Sequence, residues 1–204
     1  DVSYTASGTE QRLEAAGVPL DKVGTALELP ETATLAGCIL SNELLDALPV
    51  HRVARRGGRL VELRTRLGPE GRFIDVEADP DPAVAAGFDA LGLLPGEGCV
   101  AEINLEAPAW VTRAAGALRR GYLLTLDYGY EAAELYAPWR RQGTLLTFYR
   151  QTAGDDPYAR VGRQDITASI DFTTVQRAGE AAGLTTLGSV GQTDLLVRLG
   201  IGEA

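Results

Sequence analysis

The sequence of 204 residues has no methionine, a single histidine (His51) and only two cysteines (Cys38 and Cys99). One histidine without a Cys-x-x-Cys pair supplies too few of the ligands that zinc prefers, so we predict no metal site. Both cysteines stand beside apolar residues, which favours reduced, packed thiols over a disulfide. No apolar run approaches the ~20 residues that a membrane span needs, and no charged-then-apolar leader opens the chain. We therefore expect no membrane span and a cytoplasmic protein.

Several nucleotide-binding and hydrolase motifs are also missing. The sequence contains neither G-x-x-x-x-G-K-[ST] nor G-x-G-x-x-G, and it lacks the G-x-S-x-G of α/β-hydrolases. The 28 acidic residues outnumber the 19 basic ones, and a net charge of −9 repels phosphate backbones, so we expect no nucleic-acid partner. What is present, 45% apolar and 23% charged residues, is the composition of one globular domain over residues 1–204.

Two short apolar runs, residues 34–40 and 122–126, are typical of parallel strands that are buried on both faces. Between them, alternating apolar and polar residues flank the glycines at 57–58. This pattern predicts a β-hairpin within residues 50–78 and a third antiparallel strand over residues 73–76. We interpret this hairpin as an insertion into the larger sheet.

Helical periodicity alternates with these strands. The predicted helices cover residues 5–17, 82–94, 107–120, 171–182 and 193–199, and residues 185–190 are strand-like. The 107–120 helix ends in Arg119-Arg120-Gly121, as a helix C-terminus prefers, and Asp171 is a typical N-cap. Strands alternating with helices predict an α/β fold with a parallel sheet. Residues 151–164 form a long loop inside a region, residues 130–170, that we expect on the substrate side.

Polar residues follow the first apolar run, at the sheet edge where open α/β folds bind ligands. If a helix begins after Asn42, then Glu43 and Asp46, three residues apart, share one face. Two such carboxylates can grip a guanidinium group or accept a proton from it. The alternative is a helix N-cap followed by acidic residues in the first turn, and spacing alone does not separate the two.

Three weaker candidates each have an ordinary structural alternative. Asp127-Tyr128-Gly129 follows the second apolar run, either as part of a site or as a common turn. His51 either lines a pocket or is a packed or capping residue. The hairpin also carries an arginine cluster, which is either a docking surface or a solvated edge strand protected against aggregation. The cluster consists of Arg55, Arg56, Arg59, Arg64 and Arg66.

Five ordered motifs resemble those of the MidA family of S-adenosylmethionine-dependent methyltransferases. This family of bacteria and mitochondria is related to the arginine methyltransferase that assists assembly of complex I. The motifs are SNELLDALPVH (41–51), DYG (127–129), GTLLTFYR (143–150), DITASIDF (165–172) and GQTDLLVRLGI (191–201). Leu146 stands where the family usually has arginine, and Leu195 where it has phenylalanine. Because all five occur in the family's order, the chain is identified as a member.

The resemblance implies a Rossmann-like class I methyltransferase sheet and methyl transfer from S-adenosyl-L-methionine to a nitrogen of a protein substrate with an exposed arginine. It also implies roles for individual residues. The implied catalytic residues are Glu43, Asp46 and Asn42; the cofactor contacts are Asp1, Ser41 and Asn42; and the substrate contacts are His51, Asp127, Tyr128 and Thr167. A bacterial cytoplasmic location and a homodimer are further expectations.

One departure from the family concerns the glycine-rich cofactor loop, which lies upstream on the first strand of the family's sheet and does not occur in this sequence. Asp1-Val2-Ser3 resembles the E-x-S that ends the family's second strand, whose acidic residue bonds the cofactor ribose. We therefore expect a sheet that lacks its N-terminal strand and glycine-rich loop, and weak or no cofactor binding by a chain that starts at Asp1. The alternative function is a non-catalytic protein-binding or assembly module, or a truncated fragment, that docks through the hairpin.

Overall fold

The computed structural model describes residues 12–19, 21, 24, 26 and 28–203, which form an α/β fold. Residues 12–15 are helical (α1), and Gly17, with φ +77°, ends this turn as the sequence predicts. The remainder of the predicted 5–17 helix up to residue 11, and Asp1 with it, lie outside the described residues. None of the helices in the described ranges combines the length and apolarity needed to cross a membrane.

Two parallel strands, β1 (Leu35–Asn42) and β6 (Leu118–Leu126), confirm the two apolar runs as strands. Asn42 pairs with Leu126 at their carboxyl ends, so the residues that follow the two strands emerge at the same edge. The expectation that both faces are buried is wrong for the described residues, because Leu40 remains 63% exposed. Within the described ranges β1 pairs with β6 alone, and Tyr122 and Leu124 of β6 are also exposed, whereas Ile39 and Leu123 are partly buried.

The largest sheet is antiparallel and contains the predicted hairpin, whereas the two strands predicted to be parallel, β1 and β6, form a separate parallel sheet. The order of the antiparallel sheet is β4-β3-β2-β5, formed by β2 (His51–Arg56), β3 (Arg59–Leu67), β4 (Phe73–Ala78) and β5 (Val100–Ile103). Gly57 and Gly58 both have positive φ, at 57° and 79°, and connect β2 to β3 in a tight turn. The two hairpin strands and the third strand that the alternation predicts are therefore present. Short turns connect β2 to β3 and β3 to β4, which pair antiparallel, whereas β5 pairs antiparallel with β2 after the longer connection over residues 79–99.

Helix α2 (Pro82–Leu91) begins after Asp81, whose side chain accepts a hydrogen bond from the Ala83 N–H, and ends at Gly92 in the left-handed conformation. Helix α3 (Glu106–Ala117) ends earlier than predicted. Leu118 is already extended and pairs with Leu35, so Arg119-Arg120-Gly121 belong to β6 and not to a helix C-terminus. Gly121 lies opposite Gly37, where a Cβ atom would overlap the Gly37 carbonyl oxygen. Glycine at position 121 therefore allows β6 to approach β1 closely.

The C-terminal third consists of short elements. They are β7 (Gly129–Tyr130), α4 (Ala132–Leu135), β8 (Leu146–Tyr149), β9 (Thr152–Gly154), β10 (Asp165–Thr167), β11 (Ile170–Asp171), α5 (Phe172–Ala181) and α6 (Gln192–Arg198). Short 3-10 turns cover Pro69–Gly71 and Ile201–Glu203. Asp171 is the predicted N-cap of α5 and accepts hydrogen bonds from the Thr173 and Thr174 N–H groups. The strand predicted at residues 185–190 is wrong, because that segment has no strand partner and Leu187 is 78% exposed.

The main core lies between the four-stranded sheet, α2 and α4. Its buried members are Val53, Val84, Phe88, Ala101, Ile103, Ala132, Leu135 and Tyr136. A second cluster joins Leu45, Ala107 and Ile170, which come from the segment after β1, from α3 and from β11. Leu45 is fully buried in this cluster, so packing fixes the segment that follows β1.

Candidate functional site

The chain reverses sharply where β1 ends. Glu43 adopts a left-handed conformation with φ 48°, uncommon for a residue other than glycine, and its N–H donates to the Leu126 carbonyl at 2.9 Å. The following residues form turns, with the Leu48 N–H donating to the Leu45 carbonyl at 3.3 Å. A helix does not begin after Asn42, so both the shared helical face and the N-cap alternative are wrong. Glu43 and Asp46 come together through the turn instead.

Residues from two other strand ends hold this turn. The Leu45 N–H donates to Asp127 Oδ2 at 2.9 Å, and Asn104 Nδ2 donates to the Leu45 carbonyl at 3.0 Å. The Tyr128 N–H donates to the other Asp127 oxygen at 2.8 Å. Asp127 thereby fixes the ends of β1 and β6 to each other, across 82 residues of sequence.

Asp46 is the most unusual titratable group at this edge. It is 5% exposed, and its buried Oδ1 atom has no hydrogen-bond partner within the part of the chain that the structure describes. Burial, followed by the charges of Asp127 and Glu43, raises the pKa of Asp46 to about 6. A carboxyl group with such a pKa can accept and release a proton near neutral pH, and when ionised it attracts a cation.

Tyr128 also lies at this edge and contacts Glu43. Its side chain is 61% exposed, and its hydroxyl donates to Glu43 Oε1 at 3.0 Å. That hydrogen bond and the Glu43 charge, with smaller contributions from Asp46 and Asp127, raise the pKa of the phenol. The structure therefore brings four predicted site residues together, which we call the acidic group: Glu43, Asp46, Asp127 and Tyr128.

Three other predicted residues border the acidic group. Ser41 is buried, and its hydroxyl donates to Thr125 Oγ1 at 3.0 Å, so it joins β1 to β6. Asn42 is exposed as the last residue of β1. Thr167 ends β10 next to Ala168, whose N–H donates to the Asp46 carbonyl at 3.0 Å. As contacts for a cofactor or substrate, all three stay predictions.

His51 lies elsewhere, at the start of β2. Its Nδ1 atom is 2.9 Å from Glu62 Oε1, and Glu62 also accepts hydrogen bonds from the Asp81 N–H and from Arg64. Burial opposes ionisation of Glu62, but these hydrogen bonds outweigh it and hold the pKa of Glu62 below its usual value. The structure gives His51 a partner on the four-stranded sheet and no hydrogen bond to the acidic group, so its substrate role stays a prediction.

Reasoning from the sequence did not identify two structurally important residues, Asn104 and Glu102. Asn104 donates to the Leu45 carbonyl and accepts from the Ala107 N–H at the start of α3. Glu102 is 5% exposed and accepts hydrogen bonds at Oε2 from the backbone N–H and the hydroxyl of Thr144, at 2.7 and 3.1 Å. A charged residue inside the short apolar stretch Val-Ala-Glu-Ile is the signal that could have identified Glu102.

Comparison with known proteins gives concordant results. Residues 10–190 match the model of the family described as "Putative S-adenosyl-L-methionine-dependent methyltransferase". The protein arginine methyltransferase NDUFAF7 homolog, mitochondrial, of Drosophila melanogaster is 28% identical over 154 residues, which are 71% of this chain and 32% of that protein.

Two crystal structures from Burkholderia thailandensis, both of COG1565 superfamily proteins, are similar throughout. One, with S-adenosyl-homocysteine bound, has a TM-score of 0.86; the other has 0.88; each is 33% identical and covers 97% of this chain. This chain spans 50% and 52% of the two solved chains. The family match over most of the chain agrees with the five sequence motifs: the chain belongs to the MidA family of S-adenosyl-L-methionine-dependent methyltransferases.

Proposed function

We propose that this chain takes part in methyl transfer from S-adenosyl-L-methionine to a side-chain nitrogen of a protein arginine. The observation that carries the proposal is the buried, unpartnered Oδ1 of Asp46 within the acidic group at the carboxyl ends of β1 and β6. A buried carboxylate oxygen without a partner is costly unless a cation or a donor approaches it.

The acidic group fits a positively charged cofactor. The ion pairs of the described residues involve none of its three carboxylates, so their negative charge is not compensated by arginine or lysine there. When bound, S-adenosyl-L-methionine supplies an electrophilic methyl group on a sulfonium cation. Asn42 would contact the cofactor at this edge, and the carboxylates of the acidic group would face its sulfonium charge, which S-adenosyl-homocysteine lacks. The predicted ribose contact, Asp1, lies outside the described residues.

The same carboxylates suit a guanidinium acceptor. A guanidinium group offers parallel N–H donors that carboxylates bind with charge-assisted hydrogen bonds. Glu43, which accepts a hydrogen bond from the Tyr128 hydroxyl, would hold and orient the guanidinium group. Holding the reacting nitrogen in position supplies part of the rate acceleration. Asp46, with its pKa near 6, would accept the proton that the nitrogen loses.

The name of the fruit-fly relative supports arginine as the acceptor, and the chain covers 32% of that protein. The protein substrate, the bacterial cytoplasmic location and the homodimer remain predictions. The alternative, a module that docks through the hairpin arginines, is less favoured because most of that charge is internally paired. The pairs are Arg55–Glu97, Arg56–Glu77, Arg59–Asp79 and Arg64–Glu62.

The test uses the protein in its full encoded length, with labelled S-adenosyl-L-methionine and matched arginine-containing and lysine-containing peptides. We expect label on the arginine peptide, its loss in Glu43→Gln and Asp46→Asn, and retained binding of S-adenosyl-homocysteine by calorimetry in both variants. Asp89→Asn, an exposed acidic residue on α2, is the control and should keep the activity. Full turnover by Glu43→Gln would remove that residue from the mechanism. Calorimetry on the 204-residue chain gives a second test: binding of S-adenosyl-L-methionine favours the transferase, and absence of binding favours the module or a truncated fragment.

A further inference from the structure

A cavity of about 430 Å³ lies beside the four-stranded sheet. Its lining includes Arg52 of β2, Glu102 of β5, Tyr130, Arg140, Thr144 and Asp155. No member of the acidic group lines it. The segment at residues 168–169 lies between this cavity and the acidic group. The Ala168 N–H donates to the Asp46 carbonyl on one side, and the Ser169 N–H donates to Thr144 Oγ1 on the other.

Two buried polar atoms of residues that line this cavity have no hydrogen-bond partner among the described residues: Glu102 Oε1, an acceptor, and Arg52 Nε, a donor. The two residues are direct neighbours in the β2–β5 pairing. Glu102 is 5% exposed, and only its Oε2 atom is bonded, to Thr144. Native proteins seldom leave such groups unpaired, so each orphan atom indicates a missing partner.

The charges indicate what that partner carries. The guanidinium of Arg52 bonds both oxygens of Asp75 at 2.8 Å, so much of its positive charge is compensated there. Burial raises the pKa of Glu102 despite the Thr144 hydrogen bonds and the Arg52 charge, so the ionised form of Glu102 still lacks a sufficient positive partner. A buried carboxylate is stable when a cation or strong donor reaches it. Arg140 supplies positive charge elsewhere in the lining, where its guanidinium lies 4.1 Å from the centre of the Tyr130 ring.

We propose that this cavity binds a small zwitterion of the α-amino-acid type. Its ammonium group lies against Glu102 Oε1, and its carboxylate accepts from Arg52 Nε on the side that Arg140 makes positive. A ligand with only a cation leaves Arg52 Nε unpaired, and a ligand with only an anion leaves Glu102 unpaired. The volume of about 430 Å³ is within the range of small-molecule sites.

The first test leaves the protein unaltered. Isothermal titration calorimetry is performed with the twenty α-amino acids, and then with the amine and the acid that lack, respectively, the carboxylate and the ammonium of the best binder. We expect at least one amino acid to bind and each singly charged analogue to bind about tenfold more weakly or worse, because each loses a charge-assisted hydrogen bond. Equal binding of the amine would overturn the zwitterion, and absence of binding by all twenty would overturn the site.

A second test places the ligand. Glu102→Gln should weaken binding by about tenfold or more, whereas Glu77→Gln, an exposed carboxylate paired with Arg56 on the same sheet, should not. Competition with S-adenosyl-homocysteine distinguishes this cavity from the cofactor site: additive binding supports a separate site, and mutual exclusion contradicts it. If Glu102→Gln does not fold, the analogue series and the competition decide, since both use the unaltered protein.

Discussion

Replacing Gly143 by alanine tests the buried Glu102 arrangement directly. Gly143 has φ +71°, and a Cβ atom there would lie 2.6 Å from Glu102 Oε2 and still closer to Oε1. Both oxygens belong to a 5% exposed side chain, so relief requires Glu102 to move. Moving it breaks at least one of the hydrogen bonds that Oε2 accepts from the backbone and the hydroxyl of Thr144.

Two costs add in Gly143→Ala. A non-glycine residue in the left-handed region costs about 1–2 kcal/mol. A lost hydrogen bond to a charged group costs about 1.5–3 kcal/mol. We therefore expect Gly143→Ala to lower the free energy of unfolding by about 2.5–5 kcal/mol, a large part of the ~5–15 kcal/mol typical of a domain.

Gly162 provides the matched control. Its φ is +72°, almost the same as at Gly143, but an added Cβ atom there meets no atom within 4 Å. Gly162→Ala should therefore cost only the backbone strain, about 1–2 kcal/mol. Urea denaturation of both variants, followed by circular dichroism, gives the two values. If Gly143→Ala costs no more than Gly162→Ala, the proposed contact with Glu102 is wrong.

Three further substitutions test single interactions. Because the pKa of Asp46 is raised from 3.8 to about 6, the folded protein binds its proton more tightly than the unfolded chain, and stability falls as pH rises between those values. Asp46→Asn should then raise the urea midpoint at pH 7 but not below pH 3.8, and Asp89→Asn should show no such difference. Asp171→Ala removes the α5 cap and should cost about 1 kcal/mol, most of which Asp171→Ser should restore. Tyr136→Phe removes the buried hydroxyl that donates to the Glu102 carbonyl at 3.2 Å and should cost about 1 kcal/mol in the same assay; no change would show that this bond contributes nothing.

Local signals in the sequence identified most of the elements. The tight turn at Gly57–Gly58, the cap at Asp171 and the strand that ends at Leu126 depend on residues close together in the chain, so short-range rules sufficed. The end of α3 was misplaced because basic residues followed by glycine also suit a strand that pairs closely with Gly37. Only the pairing of distant residues distinguishes those two cases.

The candidate functional site, too, could be predicted from the sequence only in part. The sequence placed Glu43 and Asp46 at a strand end but gave the wrong local conformation, because the positive φ of Glu43 has no glycine to signal it. Glu102 was missed because its burial depends on Thr144, 42 residues away. After burial, the charge of Asp127 contributes most to the raised pKa of Asp46, and Asp127 approaches only through the β1–β6 register.

The contacts also give a physical reason why the family's motifs are spread along the chain. The first motif supplies Asp46, the second Asp127 and Tyr128, and the DITASIDF motif ties both together through its backbone. The Ala168 N–H bonds the Asp46 carbonyl at 3.0 Å, and the Ile170 N–H bonds the Tyr128 carbonyl at 2.9 Å. Carboxylates that repel each other need such an external framework to remain close, since their own interaction drives them apart. The residues between the charged ones therefore provide the backbone path that keeps the acidic group assembled.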